Sequence, residues 1–561
     1  AVSIFSVFSA QPVNAEGIDN VYIIPNTEKV LLKQEMEPNG VDTLTAALAR
    51  NEQEGMQFIL AFDQDVTDVK VTVSDLTSES GAKLDYTLYR QHYIYLAPQR
   101  FPAEEGSYPD ALVPMFDGSD GKPANDVCDI DAGENQGYWI TVDSATDQEA
   151  GVYTGTVTVS YNEGEDITIP VSVEVWDFDI PVKSTMATMF LADWDNDYYA
   201  DQGISNQEMN LMIWEFFLDY RISSGYASFI PYNSYGSDIE NYVNALKEFV
   251  DTHPEVTALR IPLHGYNASG FDVDEMVNNV NNINMYNALK NAGLLDMCYY
   301  YVIDEPADTD ANLELIQDLG TAISQFAPEI KNIVTTEREK YAGYISCWCP
   351  NWELIDEEGI RNYQAAGDEV WWYGCALPSA PYPTYHTNDN LLSPRVVHWM
   401  QKDAGAEGEL YWATTLFSYY QGGGNYVSRN PWASAETSEG LAGDGYLCFP
   451  GKEGDGIVDR NMLVPTIRLE AIRDGLEDYE YLTLMETNLN TLIETYNLDI
   501  TTDALLDTYY DALYKEINDY NHDDTTLQQM RQILAEDIMN FNGTEFVAVS
   551  EGENGYRNIT V

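Results

Sequence analysis

From Val21 to Trp176, apolar and small polar residues alternate along the chain. "GVYTGTVTVSY" and "ITIPVSVEVWDF" are the clearest runs, and glycines or acidic turns separate them. A period of two buries one face of a strand, and hardly any helical spacing interrupts it. The region therefore predicts a β-sandwich of about 160 residues. Its last strand ends at Asp179-Ile180-Pro181, where proline cannot continue a ladder.

Beyond Pro181 the pattern changes to short strand-like runs alternating with longer helical ones. Strands are predicted near Thr185–Leu191, Tyr226–Pro231, Ala258–His264, Cys298–Ile303, Asn332–Thr336, Tyr344–Cys349, Val370–Ala376 and Leu410–Leu416. Among the intervening segments, "ANLELIQDLGTAISQFA" places Leu313, Leu315, Ile316, Leu319, Ala322, Ile323 and Phe326 on one helical face. Eight such repeats predict a (β/α)8 TIM barrel, with its active site at the C-terminal ends of the strands. The predicted organisation is multidomain, β followed by α/β. Residues 1–15 read as a signal-peptide remnant, 16–181 as the sandwich, and 182–485 as the barrel. Residues 486–545 read as a C-terminal helical segment, with amphipathic helices within Thr502–Asn518 and Thr525–Phe541. The pattern does not decide whether 546–561 form a strand or a linker.

Composition narrows the function. The chain has 561 residues, and 27 basic against 93 acidic ones give a formal net charge of −66. Such a field repels nucleic acid and anionic membrane, which excludes both as partners. It is the solvated surface of a secreted or salt-adapted protein, with calcium binding by an acidic loop as a lesser alternative. The apolar start, Ala1 to Ala10, followed by Val13-Asn14-Ala15, resembles the end of a secretory signal and points to an extracellular or cell-surface location. No apolar run is long enough to span a bilayer. Six cysteines do not make a disulfide framework. Cys347-Trp348-Cys349 puts two thiols on one strand face, but no second cysteine pair or histidine cluster accompanies it, so buried free thiols are expected and neither metal nor cofactor is predicted.

The candidate chemistry lies in "CYYYVIDEPAD", Cys298 to Asp308. Asp304 and Glu305 close the predicted fourth strand, at the catalytic end of a barrel. Successive strand side chains alternate in direction, so adjacent carboxylates can enter a site from different sides. Asp308-Thr309-Asp310 already supplies caps for the next helix, which leaves the pair free for another role. Glycosidases protonate the leaving oxygen with a carboxylic acid, and most retaining ones place a second carboxylate about 5 Å away as nucleophile. In the commonest barrel glycosidases that nucleophile follows the seventh strand. Here the seventh strand ends "WWYGCALP" without a carboxylate, and Glu369 lies at its opposite end. Glu337, after the fifth strand, is the alternative nucleophile. The other solution is a 2-acetamido sugar that attacks its own anomeric carbon, since intramolecular attack has a high effective molarity. Two neighbouring carboxylates then suffice, one for the acetamido group and one as acid/base.

Aromatic residues after the other strands fit a sugar-binding rim: Trp194, Trp348, Trp352, Trp371, Tyr373, Trp412, Tyr419 and Tyr420. His264, Trp348, Tyr373 and Trp412 are the candidate substrate-binding residues. A non-catalytic carbohydrate-binding surface protein remains the alternative to an enzyme.

"GSYPDALVP", "VEVWDFDIP", "YVIDEP", "EVWWYGCALPSAPYPT" and above all "RLEAIRDGLEDYEYL" resemble the domain-of-unknown-function family 4091, which includes glycoside hydrolase family 123. The resemblance runs from about Val21 to Met485. It implies a β-sandwich, a TIM barrel, and exo-acting, retaining β-N-acetylgalactosaminidase activity by substrate assistance on a terminal 2-acetamido sugar. By the same resemblance, Asp304 orients the acetamido group and Glu305 is the acid/base. Ser346, two positions before Trp348, stands where the family carries an acidic residue. Arg468, Arg473 and Asp478 in the last motif are expected to form a structural polar cluster.

Overall fold

The computed structural model describes residues 17–98, 104–162, 164–232, 239–354, 357–497 and 499–541. The signal-like residues 1–15 and the tail 546–561 lie outside the described residues. In the N-terminal region the alternating runs become strands of one eleven-stranded sheet, eight of them along a single hydrogen-bonded path. "GVYTGTVTVS" and "ITIPVSVEVWDFD" are the adjacent antiparallel strands Gly151–Ser160 and Ile167–Asp179. Apolar residues from both ends of the path, such as Val21, Phe58, Leu48 and Val173, meet in one core.

The second region holds a seven-stranded sheet in which every pairing is parallel. Its strands are Ala187–Phe190, Leu259–Arg260, Cys298–Ile303, Lys331–Val334, Cys347–Trp348, Glu369–Gly374 and Gly408–Tyr411. The sheet is barrel-like. One edge is Ala187–Phe190 and the other Leu259–Arg260, and residues 222–225 bridge them. Phe190 donates its N–H to the Ser223 carbonyl (2.9 Å), and Arg260 donates to that of Gly225 (3.1 Å). The predicted strand Tyr226–Pro231 is thus absent, and its place is taken by the preceding "ISSG". Hydroxyls replace part of the ladder there: the Ser223 N–H reaches Thr188 Oγ1, and the Thr257 N–H reaches Ser223 Oγ, each over 3.0 Å.

Strand parity divides the aromatics into two layers. Tyr299, Tyr301, Cys347, Cys349, Trp371 and Tyr373 point inward and share an interior core with Met189 and Leu410. Tyr300 and Trp348 point outward to the helices, as does Trp372. All six cysteines are free, four of them buried.

The family-like motif near the C-terminus becomes a 30-residue helix, Ile467–Tyr496, whose charged residues from Arg468 to Glu480 are buried. Arg468 makes a two-pronged pair with Asp110 of the strand Gly106–Pro114 (2.8 and 3.0 Å). Arg473 pairs with Glu470 and Asp474, while Asp478 receives Arg395 and Arg531. Glu52 and Glu54, from the N-terminal β region, complete this network through Arg531 and Arg395. A lone partner in such a place would be a buried unpaired charge costing about 3–5 kcal/mol, so the network fixes the register between the two regions.

The helix predicted within Thr502–Asn518 is shorter, Thr502–Tyr510. The residues after it turn back as the strands Tyr514–Glu516 and Asp519–Tyr520, because Asn518 favours a turn and Tyr514 pairs across to Tyr520. The last helix, Asp524–Asn540, matches its prediction and packs on the long one through Leu527, Met530 and Leu534.

Candidate active site

At the C-terminal side of the parallel sheet lies a cavity of about 380 Å³. Three strand ends supply its walls: Tyr301, Asp304 and Glu305 from one, Tyr373 and Cys375 from the next but two, and Leu410 and Trp412 from the last. Tyr420 and Tyr426, which face each other across the short hairpin Ser418–Tyr420/Tyr426–Ser428, and Asp444 complete it.

Asp304 and Glu305 follow directly on the strand Cys298–Ile303, and both line the cavity. Each carboxylate has its own support. Asp304 Oδ1 accepts from the Tyr301 hydroxyl (2.7 Å) and from Thr335 Oγ1 (3.1 Å). Glu305 Oε1 accepts from the Tyr373 hydroxyl (2.6 Å). Burial, and then the carboxylates they serve, push both tyrosine hydroxyls well above their ordinary pKa, so both remain donors. Glu305 has φ = 40°, in the left-handed region that side chains other than glycine avoid. Its N–H is tied to Thr335 Oγ1, and Arg338 holds the next carbonyl, that of Pro306, at 2.8 Å. The strained turn separates the two neighbouring carboxylates, at a cost of about 1–3 kcal/mol met by the surrounding structure.

The other candidates divide. Tyr373 and Trp412 line the cavity. Trp348 does not: it is fully buried on the outer side of its strand, stacked on Tyr363 at 3.9 Å, with its indole N–H on Asp368 (2.9 Å). Its expected place at the sugar-binding rim is therefore corrected, because Cys347 and Cys349 take the inward positions on either side of it. Trp352 and Trp371 are likewise buried. His264 is half-buried beyond the cavity lining, where its ring meets the Tyr232 hydroxyl and Asn282 grips its backbone (2.9 and 3.0 Å). Glu337 faces Arg338, also outside the lining, and Glu369 lies at the far end of its strand on Lys331 (2.7 Å). Ser346 lies on the far side as well, bonded to Asn332 (2.7 Å).

Tyr301, Thr335 and Asp444 escaped the sequence reading. Asp444 sits between Gly443 and Gly445, both with positive φ, and that "GDG" turn was the available signal. Among the described residues no group of three or more His, Cys, Asp or Glu side chains is arranged to hold a metal ion. No helix among them is long and apolar enough to cross a membrane.

Comparison with known proteins agrees with this layout. Residues 281–485 match the model of the glycoside hydrolase 123 catalytic domain, and residues 26–161 that of the glycoside hydrolase 123 N-terminal domain. A family 123 glycoside hydrolase from Clostridium perfringens, whose structural description concerns glycolipid glycan hydrolysis, superposes with a TM-score of 0.62 at 13% identity, covering 93% of this chain and 96% of that one. A family 39 glycoside hydrolase from Bacteroides cellulosilyticus WH2 gives only 0.27 at 10% identity, over 78% and 82% of the two chains. No curated protein sequence matches.

Proposed function

The chain belongs to glycoside hydrolase family 123 and is a glycoside hydrolase, and from that premise we propose that it removes terminal β-linked N-acetylgalactosamine from glycans or glycolipids, with retention, by substrate assistance. The observation that carries this reading is the pair Asp304–Glu305, side by side in the cavity and held by different tyrosines. The seventh strand of the proposed (β/α)8 barrel offers Tyr373 to Glu305 where a conventional retaining enzyme would offer a nucleophile. We read the N-terminal region as the accompanying β-sandwich.

With its Oδ1 occupied by Tyr301 and Thr335, Asp304 has Oδ2 left for the acetamido N–H of the sugar. That contact aims the acetamido oxygen at the anomeric carbon and stabilises the charge it gains. Glu305 gives its proton to the glycosidic oxygen as the bond to the anomeric carbon breaks. The acetamido oxygen bonds to that carbon, forming an oxazolinium ion whose N–H stays on Asp304 and releasing the aglycone. Water, deprotonated by Glu305, then opens the oxazolinium ring from the opposite face. Two inversions leave the β configuration unchanged. We read the reaction as exo-acting, on a chain end.

A screen of nitrophenyl β-glycosides with a thiazoline inhibitor tests the reading. Hydrolysis confined to acetamido sugars and blocked by the thiazoline is the expected result. Turnover of sugars without the acetamido group would transfer the reading to a conventional nucleophile, and binding without turnover to a carbohydrate-binding protein.

A further inference from the structure

Asp444 is the third carboxylate of the cavity, and the chemistry above does not use it. It is 3% exposed and lies on the loop after the last strand, Gly408–Tyr411. Three strands separate that strand from the one bearing Asp304 and Glu305. The loop side chain therefore faces the pair from another wall. Two donors converge on its Oδ1: the Trp412 indole N–H (2.9 Å) and the Tyr411 hydroxyl (3.1 Å). The Tyr411 oxygen itself receives the Gly445 N–H (3.0 Å), which directs the hydroxyl proton towards Asp444. Among the described residues no side-chain donor reaches Oδ2.

A largely buried carboxylate in the cavity lining, with no side-chain donor on its second oxygen, is placed to accept from a ligand. Burial pushes the Asp444 carboxyl up to about 6, against the hydrogen bonds from Trp412 and Tyr411, the more distant Arg468 charge and the Gly445 backbone N–H. Leu410, Trp412, Leu416 and Leu441 make much of the surrounding lining apolar, while Tyr420, Tyr426, Thr437 and Ser438 add hydroxyls to it. Sugar hydroxyls are the donors that such a wall accepts.

We propose that Asp444 is the specificity-determining acceptor for the hydroxyls at the non-reducing end of the terminal sugar, on carbon 4 or carbon 6. This rests on the preceding reading in one respect, that the anomeric carbon lies at Asp304 and Glu305. The opposite end of the ring then points to Asp444. Because a site built to bond a hydroxyl rejects an analogue that lacks it, Asp444 would also decide between sugars that differ at carbon 4.

The experiment measures kcat/KM for wild type, Asp444→Asn and Asp444→Ala on nitrophenyl β-N-acetylgalactosaminide and on its 4-deoxy and 6-deoxy analogues. The wild type should lose about 10–100-fold on at least one deoxy analogue, and each variant a similar factor on the parent sugar. On that same analogue the variants should lose nothing further. Equal loss on parent and both analogues makes Asp444 a packing residue and overturns the proposal. So does a wild type indifferent to both hydroxyls, a result that needs no variant to fold. A glycosyl azide formed by Asp444→Ala in azide would make Asp444 a nucleophile instead. If the wild type prefers a sugar without the acetamido group, the functional reading fails by itself, and the deoxy series of that sugar decides Asp444. A wild type that hydrolyses no glycoside overturns both.

Discussion

Tyr373, at the end of one strand, donates its hydroxyl to Glu305 Oε1, at the end of another, over 2.6 Å. The bond fixes which oxygen of Glu305 remains for the substrate. Tyr373→Phe keeps the ring and removes only the donor, so kcat should fall about 10–100-fold while KM changes little. Steady-state kinetics on an aryl glycoside check this. An equal rise in KM would mean that Tyr373 binds the sugar and does not position Glu305.

The two carboxylates should fail in different ways. Glu305→Gln should lose about 10²–10⁴ in rate on a poor leaving group, and much less on dinitrophenol, which departs without a proton. Asp304→Asn should lose a similar factor whatever the leaving group, because the acetamido attack is needed every time. A series of aryl glycosides of graded leaving-group acidity separates them. Parallel lines for both variants would contradict the assigned roles.

Trp348 is a stability residue. Trp348→Ala should lower the unfolding free energy by about 3–5 kcal/mol, read as a shifted urea midpoint, with KM unchanged. Trp412→Ala should do the reverse, raising KM with a smaller effect on stability.

Much of this was legible beforehand, and the limits are instructive. The period-two runs located the β region, and strand counting brought Asp304 and Glu305 to a cavity. Trp348 was misplaced although the signal was present: two cysteines on one strand face put the residue between them on the other. The second predicted strand failed because "ISSG" bonds through hydroxyls and a glycine, which leave no alternating pattern. The "GDG" turn marked the backbone at Asp444, but its role was illegible because the partners that define it, Tyr411 and Trp412, lie 33 and 32 positions away.

Stability should decline as pH rises from 5.5 to 8. Burial raises Glu477 to about 8, Asp474 to about 7, and Asp403, Asp444 and Asp537 to about 6. Each folded-state pKa exceeds its unfolded value, so the folded chain keeps protons that the unfolded chain has lost. The stabilisation is complete below the unfolded values and disappears as pH passes through the folded ones. His386, depressed to about 4, opposes this only up to pH 6.5, and Lys29, depressed to about 7, only above pH 7. Five carboxylates outweigh two cations, and the melting temperature should drop by roughly 5 °C across the range. Glu477→Gln should flatten the slope; a melting temperature that rises with pH would contradict the assignment.

The central claim is that the substrate's own acetamido oxygen attacks the anomeric carbon. Its most direct test is kcat/KM for aryl β-N-acetylgalactosaminides whose acetyl group carries zero, one, two or three fluorines. Each fluorine weakens the carbonyl oxygen as a nucleophile, and the account predicts a steep fall along the series. A flat series, with a glycosyl-enzyme trapped on a carboxylate, would contradict it.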